Sequence, residues 1–515
     1  MGLSIEYHSV PDLPKLAWLA SLNKETFEAI SIYHGSAVEC HSAWMVEGVW
    51  DGDFRSGSFH QAENFFGSGI RIDGDRVYFV SSSALNDHLV YCRYQDRLLV
   101  SNSLTVLLGF TGATLDDKHD YLDESMSISK GIREYEKIFL IVHPEIDRFY
   151  QVFYENMIVT KHGISFELKN GLHEIHSFEH YYELLWRALC RIKDNYEDPA
   201  RSIPFSAFTT ISSGYDSTAV SCLAKKLGVN TCFTVKKTPS LRRWSAKHST
   251  DDGSMAARAL NLKIINADSY PSNLENNELY FLSTNYGKSE NSAVLNEFVF
   301  SSVASYIEQH CSAAILFTGY HGDKVWDAGT AEKYLGDEIA QSNGANIGLS
   351  EIRLKSGFIN LAVPFILVRN IRRIVAISRS AEMTPWRLNN NYDRPIPRRI
   401  AESHGVPRQS FGMYKKGVAR LYYRLPKSRA LRRVFLHYLN IHHGLNPLFV
   451  IANHALNQAA FAFQVMLRRS ILELKHRRFS VFWPSIDVGF YMWVWATRLL
   501  SEKHVRAIKG SRRAP

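Results

Sequence analysis

The chain is 515 residues long, 45% hydrophobic and 22% charged, which excludes a disordered, collagenous or small disulfide-stapled protein and predicts two or more separately packed cores. Its formal charge of +9 is unevenly placed: residues 1–200 hold 17 basic and 30 acidic side chains, and the remainder hold 43 and 21. A basic C-terminal part of this kind meets an anion, whether a nucleotide, a nucleic acid or an acidic partner surface, or it simply attracts the acidic N-terminal part.

Residues 1–6 lack a basic region followed by an apolar core, so no secretory signal is expected. Cys40, Cys92, Cys190, Cys222, Cys232 and Cys311 are scattered without a C-x-x-C pair, which predicts reduced structural thiols in a cytoplasmic protein. From about residue 40 to 170, short alternating strands over 77–80, 89–94 and 97–101, with a turn at Gln95-Asp96, predict an antiparallel sheet domain with some helix. A helix over 178–193 and the polar run 194–199 read as a hinge into a second domain. After residue 200 strands over 203–211, 229–235, 263–267 and 313–317 alternate with helices over 217–227, 255–262 and 295–310, the pattern of a parallel sheet. Beyond residue 350 the chain reads as mostly helical and basic. Its longest apolar stretch, 479–496, is interrupted by Pro484, Asp487 and Gly489, so it is expected to be a buried helix-loop element and not a transmembrane segment. The aromatic side chains there, and the acidic N-terminal domain, are the two candidate docking surfaces. His437, His442 and His443 are not spaced four apart and predict core or surface histidines, not a metal site.

Chemistry concentrates where the first strand of the second part ends, in Ser212-Ser213-Gly214-Tyr215-Asp216-Ser217, and runs directly into a helix. Small residues let backbone N–H groups approach a phosphate, the helix start supplies partial positive charge, and Ser212 and Ser217 offer hydroxyls. Asp216 would repel phosphate unless a cation intervened, so the loop implies Mg2+. A later strand ends in Thr318-Gly319-Tyr320-His321-Gly322-Asp323-Lys324. Two strand ends in one parallel sheet, each with a glycine turn and an aspartate, would bring Asp216 and Asp323 over one crevice at the carboxyl edge. The plainer alternatives are a serine-rich N-cap for the first segment and a neutral, hydrogen-bonding loop residue for His321.

The first segment resembles the S-G-G-x-D-S pyrophosphate loop of the ATP pyrophosphatases, the group containing asparagine synthetase, and the second is similar to their S-G-x-G-x-D-E segment. Ser213 replaces the second glycine of that loop, and Tyr320 and Lys324 stand where glutamates are common. A tyrosine at position 320 resembles the β-lactam synthetase branch, where it helps remove a proton from an attacking amine. Segments 79–82, 89–91 and 98–104 look like the sheet of the class II glutaminase domain, but position 2 is Gly2 and the nearest cysteine is Cys40, so glutamine cleavage is not expected. Segments 360–365, 391–399 and 414–416 resemble those of lasso peptide cyclases, and the resemblance spans nearly the whole chain.

That resemblance implies an α/β protein: a degenerate glutaminase-like (Ntn-type) α+β domain over 1–180, then a parallel-sheet ATP pyrophosphatase domain with a helical C-terminal part over 181–515. It implies ATP and Mg2+, with Asp216 and Asp323 on the metal, Ser212, Ser213, Gly214, Asp216 and Ser217 around the pyrophosphate, and Val235, Thr318 and Gly319 along the adenosine. Tyr320 would lie on the proton path and Lys415 or Lys416 would stabilise the charged intermediate. The implied reaction adenylates an Asp or Glu side chain of a ribosomally made precursor peptide, whose N-terminal amine then closes a macrolactam. A leader peptidase and a leader-binding protein would be its partners. A small-molecule amide or β-lactam synthetase, an asparagine synthetase-like enzyme using free ammonia, and a nucleotide-binding scaffold that has lost catalysis remain alternatives. No nucleic acid partner is expected, because no RNA-binding module or interleaved aromatic-basic stretch is present.

Overall fold

The computed structural model describes residues 3–119, 121–127, 131–132, 134–236, 251–267, 274–284, 294–336, 349–390, 392–413, 425–456, 459 and 488–511. Among the described residues it is a mixed α/β structure with three sheets. The N-terminal part holds two of them. The first runs in the order Ser4–Ser9, Ala29–His34, Trp18–Asn23, Arg97–Ser101, Leu89–Tyr94, Arg148–Val152, Ile138–Val142 and Thr114–Leu115. The second runs Gly163–Leu168, Glu155–Thr160, Arg76–Val80, Phe65–Asp73, Trp44–Trp50 and Glu39–Cys40. All pairings in these two sheets are antiparallel except that of Ser4–Ser9 with Ala29–His34.

Alternation along the strands stacks the two sheets face to face. Trp18, Ala20 and Leu22 point from the first sheet into a core that Met45, Ile70, Val77 and Phe79 enter from the second. Leu19, between them, points to the opposite face. There the helix Leu104–Thr111 packs, itself covered by the C-terminal helix Gly489–Ser511, while the helix Phe178–Tyr196 lies against the second sheet.

The third sheet is parallel throughout, in the order Lys263–Asn266, Thr231–Thr234, Phe205–Thr210, Ala313–Thr318 and Phe358–Ala362. Four of its strands and the helices Tyr215–Lys226, Ser254–Ala259 and Val294–His310 fall where periodicity predicts them, within a few residues. The fifth strand, in a region expected to be helical, does not. From Phe205–Thr210 the chain builds outward to one side, then returns to lay Ala313–Thr318 on the other. The strand order therefore reverses between those two neighbours, and a crevice opens beyond their carboxyl ends.

Separate apolar clusters lie within the N-terminal sheets and within the C-terminal part, but a larger one joins the two. The largest apolar cluster runs unbroken from Val10 and Leu99 through Tyr215 and Ile359 to Trp493 and Ile508, because the parallel sheet and its helices pack directly on the N-terminal sheets. The expected division at 180/181 falls inside the helix Phe178–Tyr196, and Tyr181 accepts a hydrogen bond of 2.7 Å from the Trp326 indole. Acidic residues of the N-terminal part meet basic residues of the C-terminal part at Glu47 and Asp87 with Arg353, Glu174 with Arg373, and Glu179 with Arg399. Mutual attraction of the two halves thus accounts for part of the charge asymmetry.

Trp493 and Trp495 are buried, so this part of the aromatic stretch serves the core and not a docking surface; residues 479–487 lie outside the described residues. Among the described residues no helix is long and apolar enough to cross a membrane. All six cysteines are free thiols.

Candidate active site

The two motif-bearing strand ends meet at the crevice. Phe205–Thr210 and Ala313–Thr318 are hydrogen-bonded neighbours, and each passes through a short loop into a helix whose second residue is an aspartate, Asp216 in Tyr215–Lys226 and Asp323 in Gly322–Val325. Glycine makes the approach possible. A Cβ added at Gly319 would lie 2.6 Å from the Asp216 carbonyl carbon and 2.7 Å from the Ser217 nitrogen, and one at Gly322 would lie 2.5 Å from Asp216 Cγ. The second loop is thus laid directly on the first turn of the Tyr215–Lys226 helix. His321 turns the chain there with φ of 72°, a left-handed conformation that histidine adopts more readily than branched residues. Its imidazole is buried against Phe365, with ring centres 4.6 Å apart, and burial holds its pKa down at about 4. Burial thus favours the neutral imidazole, packed on the Phe365 ring.

The serine loop is knit together by its own side chains. Ser217 Oγ accepts from the Ser212 N–H at 3.0 Å and lies 2.8 Å from Ser212 Oγ, which accepts from the Gly214 N–H at 3.1 Å. Asp251, returning from the next crossover, accepts from the N–H and the hydroxyl of Ser213 at 3.2 and 2.8 Å. The loop N–H groups of Ser212, Ser213 and Gly214 are therefore engaged, and an aspartate already sits where the sequence predicts an anion. Thr318, the last residue of its strand, is buried and donates to Asn360 Oδ1 at 2.7 Å. Val235 follows the end of the neighbouring strand Thr231–Thr234 and is half-buried against a separate apolar cluster. Tyr320 is half-buried and stacks on Phe365 with ring centres 6.0 Å apart. Lys415 and Lys416, with Asn391 and Tyr414, lie outside the described residues.

Asp216 carries an unusual electrostatic load. Burial raises its carboxyl to about 6, the Arg394 guanidinium pulls it back, and Asp323 and Asp327 push it further up. Arg394, only 3% exposed, forms an ion pair with Asp216 Oδ2, and its Nε lies 3.6 Å from Asp327 Oδ2. Asp216 Oδ1 is buried and has no hydrogen-bond partner. An unsatisfied carboxylate oxygen with two further carboxylates acting on it fits a divalent cation. No group of three or more His, Cys, Asp or Glu forms a self-contained metal cage among the described residues.

Three contributors escape the sequence reading: Arg394, Asp327 and Asp251. Arg394 belongs to the 391–399 segment, where the only usable signal was resemblance, and it reaches Asp216 from 178 positions away. Tyr392 and Arg398 complete the wall, with Tyr392 and Tyr215 ring centres 4.8 Å apart and Arg398 donating to Tyr215 Oη at 2.8 Å. No protein-family model matches the chain, and no curated protein matches it.

Proposed function

We propose that the chain is an ATP-dependent, AMP- and pyrophosphate-forming carbon–nitrogen ligase that closes a macrolactam in a ribosomally made peptide, as lasso peptide cyclases do. The observation that carries this reading is the convergence of Asp216 and Asp323 at the switch point of a parallel sheet, beside a serine loop that enters a helix. Mg2+ bound by Asp216 and Asp323 would offset the charge of the nucleotide phosphates and of departing pyrophosphate. The Ser212 and Ser217 hydroxyls would face that pyrophosphate, and Val235, Thr318 and Gly319 would follow the adenosine.

In the first step a side-chain carboxylate oxygen of the precursor peptide bonds to the α-phosphorus of ATP as the bond to pyrophosphate breaks. In the second, the peptide's N-terminal amine bonds to the acyl carbon, AMP leaves, and the amine's proton passes to a base. Tyr320 is assigned to that proton path, and Lys415 or Lys416 to the charged tetrahedral intermediate. The N-terminal sheets are assigned to a glutaminase-like domain without glutamine hydrolysis. Burial pushes the Cys40 thiol up to about 12, which leaves it a poor nucleophile at neutral pH and supports an amine supplied by the substrate. A leader peptidase and a leader-binding protein would deliver the trimmed precursor.

The test incubates the protein with Mg-ATP and a leader-cleaved candidate precursor, quantifies nucleotide products and records the peptide mass. AMP, pyrophosphate and a peptide lighter by one water, all lost in Asp216→Ala, are the expected result. AMP formed with a small amino acid in place of the peptide would move the assignment to a small-molecule amide synthetase. No nucleotide turnover with the authentic precursor and its partner proteins would leave only a nucleotide-binding scaffold.

A further inference from the structure

Arg394 has no place in the chemistry above, yet it holds the most constrained position in the site. Its guanidinium is buried, it is paired with the very carboxylate assigned to the metal, and its Nε has no hydrogen-bond partner although Asp327 Oδ2 lies 3.6 Å away. Its guanidinium carbon lies 5.0 Å from the Tyr392 ring centre. Two carboxylates thus share one buried cation, one of them tightly and the other at the edge of contact. A divalent ion arriving at Asp216 meets a carboxylate whose Oδ2 is already held by a guanidinium, in a site that keeps an excess of carboxylates over cations. A second cation on the same carboxylate is repelled by the first, which favours movement of the guanidinium as the ion arrives.

We propose that Arg394 is a built-in counter-ion for the metal site: it occupies Asp216 at rest, and uptake of the divalent ion with the nucleotide shifts it onto Asp327. Asp327 is what makes the exchange possible. Without a second carboxylate the displaced guanidinium would be left buried and unpaired, a costly state. The device keeps the site from holding a divalent ion in the absence of nucleotide, because the phosphates supply the remaining ligands that repay the displacement. This inference rests on the assignment of Asp216 to a divalent cation.

The readout is metal binding to the full-length protein, with Mn2+ as probe, followed by electron paramagnetic resonance with and without ATP. Wild type should take up Mn2+ weakly alone and tightly with ATP. Arg394→Met should bind Mn2+ alone at least about tenfold more tightly than wild type, the factor expected if Arg394 leaves Asp216 free no more than a tenth of the time. Arg394→Lys keeps the charge and should stay near wild type. Because a buried arginine is removed, a second variant tests the same exchange without touching it: Asp327→Asn, at a half-exposed position, should weaken Mn2+ uptake in the presence of ATP by deepening the hold of Arg394 on Asp216. Folded Arg394→Met with unchanged Mn2+ affinity, or Asp327→Asn with unchanged uptake, overturns the counter-ion. Absence of Mn2+ binding by wild type even with saturating ATP overturns the metal assignment itself, and the counter-ion with it.

Discussion

Arg398 shows how much of the site depends on one buried side chain. It lies between Tyr215 and Phe411, 4.8 and 5.0 Å from their ring centres, and donates to Tyr215 Oη at 2.8 Å and to the Gly412 carbonyl at 3.1 Å. The Gly412 N–H in turn donates to the Ser213 carbonyl at 2.8 Å, so this arginine ties the serine loop to the segment that leads into Lys415 and Lys416. Lysine would keep the charge but lose the planar fork and both ring contacts. Arg398→Lys should cost about 1.5–3 kcal/mol, the range for a lost hydrogen bond to a charged group, and weaken ATP binding. Denaturant unfolding and nucleotide titration check both, and an unchanged midpoint would refute the first. His321 yields a pH prediction. Its imidazole stays neutral in the fold down to about pH 4, whereas the unfolded chain takes up a proton near 6.5. The unfolded state therefore binds more protons across that window, and stability falls as pH falls through it. Asparagine accepts the left-handed backbone at 321, so His321→Asn should fold and lose less stability between pH 6.5 and 4, by up to about one proton's worth of slope. Equal slopes for both proteins would show that His321 carries none of the acid sensitivity. At this scale Asp216 and Asp323 were legible because each sits in a compact strand-end motif. Arg394 was not, because nothing local to residue 394 announces a partner 178 positions away.

The elements that build the crevice were legible to the extent that their periodicity differs from that of their neighbours. Phe205–Thr210, Thr231–Thr234, Lys263–Asn266 and Ala313–Thr318 alternate with helices, and that alternation signals a parallel sheet. Phe358–Ala362 is buried at every position, so it presents a short apolar run that no period distinguishes from a buried helical turn. Strands such as Trp18–Asn23, buried on both faces, hide the doubled N-terminal sheet for the same reason. Glycine fixes how closely the crevice closes. Adding a methyl at Gly319 drives it into the Asp216 and Ser217 backbone, where no flexible side chain can give way, so the strand end and the helix start must part. Gly319→Ala should therefore cost about 1–3 kcal/mol, as overpacking does, and lower Mn2+ and ATP affinity together. Gly510→Ala is the control. Position 510 lies in the C-terminal helix with nothing within 4 Å of an added Cβ, and alanine should stabilise it by up to about 1 kcal/mol. Thermal melts of the two variants moving in the same direction would contradict this account.

At the scale of the whole molecule the charge split was plain in the composition but its meaning was not, since a nucleotide, a nucleic acid and a facing domain all attract a basic surface. The resolving contact is buried. Arg353, from the helix Ser350–Ser356, donates to both Glu47 oxygens at 2.9 and 3.1 Å and to Asp87 at 2.6 Å, and Ser68 donates to Glu47 at 2.6 Å. Glu351 of the same helix accepts from the Ser103 hydroxyl at 3.0 and 2.9 Å. N-terminal sheets and C-terminal helices thus meet in a shared apolar cluster and across a buried ion network of Arg353, Glu47 and Asp87. Neither half can leave without exposing the other's buried charges, so the chain should unfold in one transition instead of two. Arg353→Met removes the cation and strands Glu47 and Asp87 in the interior, at a cost of about 3–5 kcal/mol. The triple variant Arg353→Met, Glu47→Gln and Asp87→Asn leaves no buried charge there and should recover most of that loss. Because the network is hidden from solvent, ionic strength should change the wild-type melting temperature little; surface attraction between oppositely charged halves would weaken steadily as salt rises. Calorimetry at low and high salt separates the two cases. Two resolved transitions, or a midpoint that drops sharply with salt, would mean that the halves are held by surface charge and that the shared core contributes little to their association.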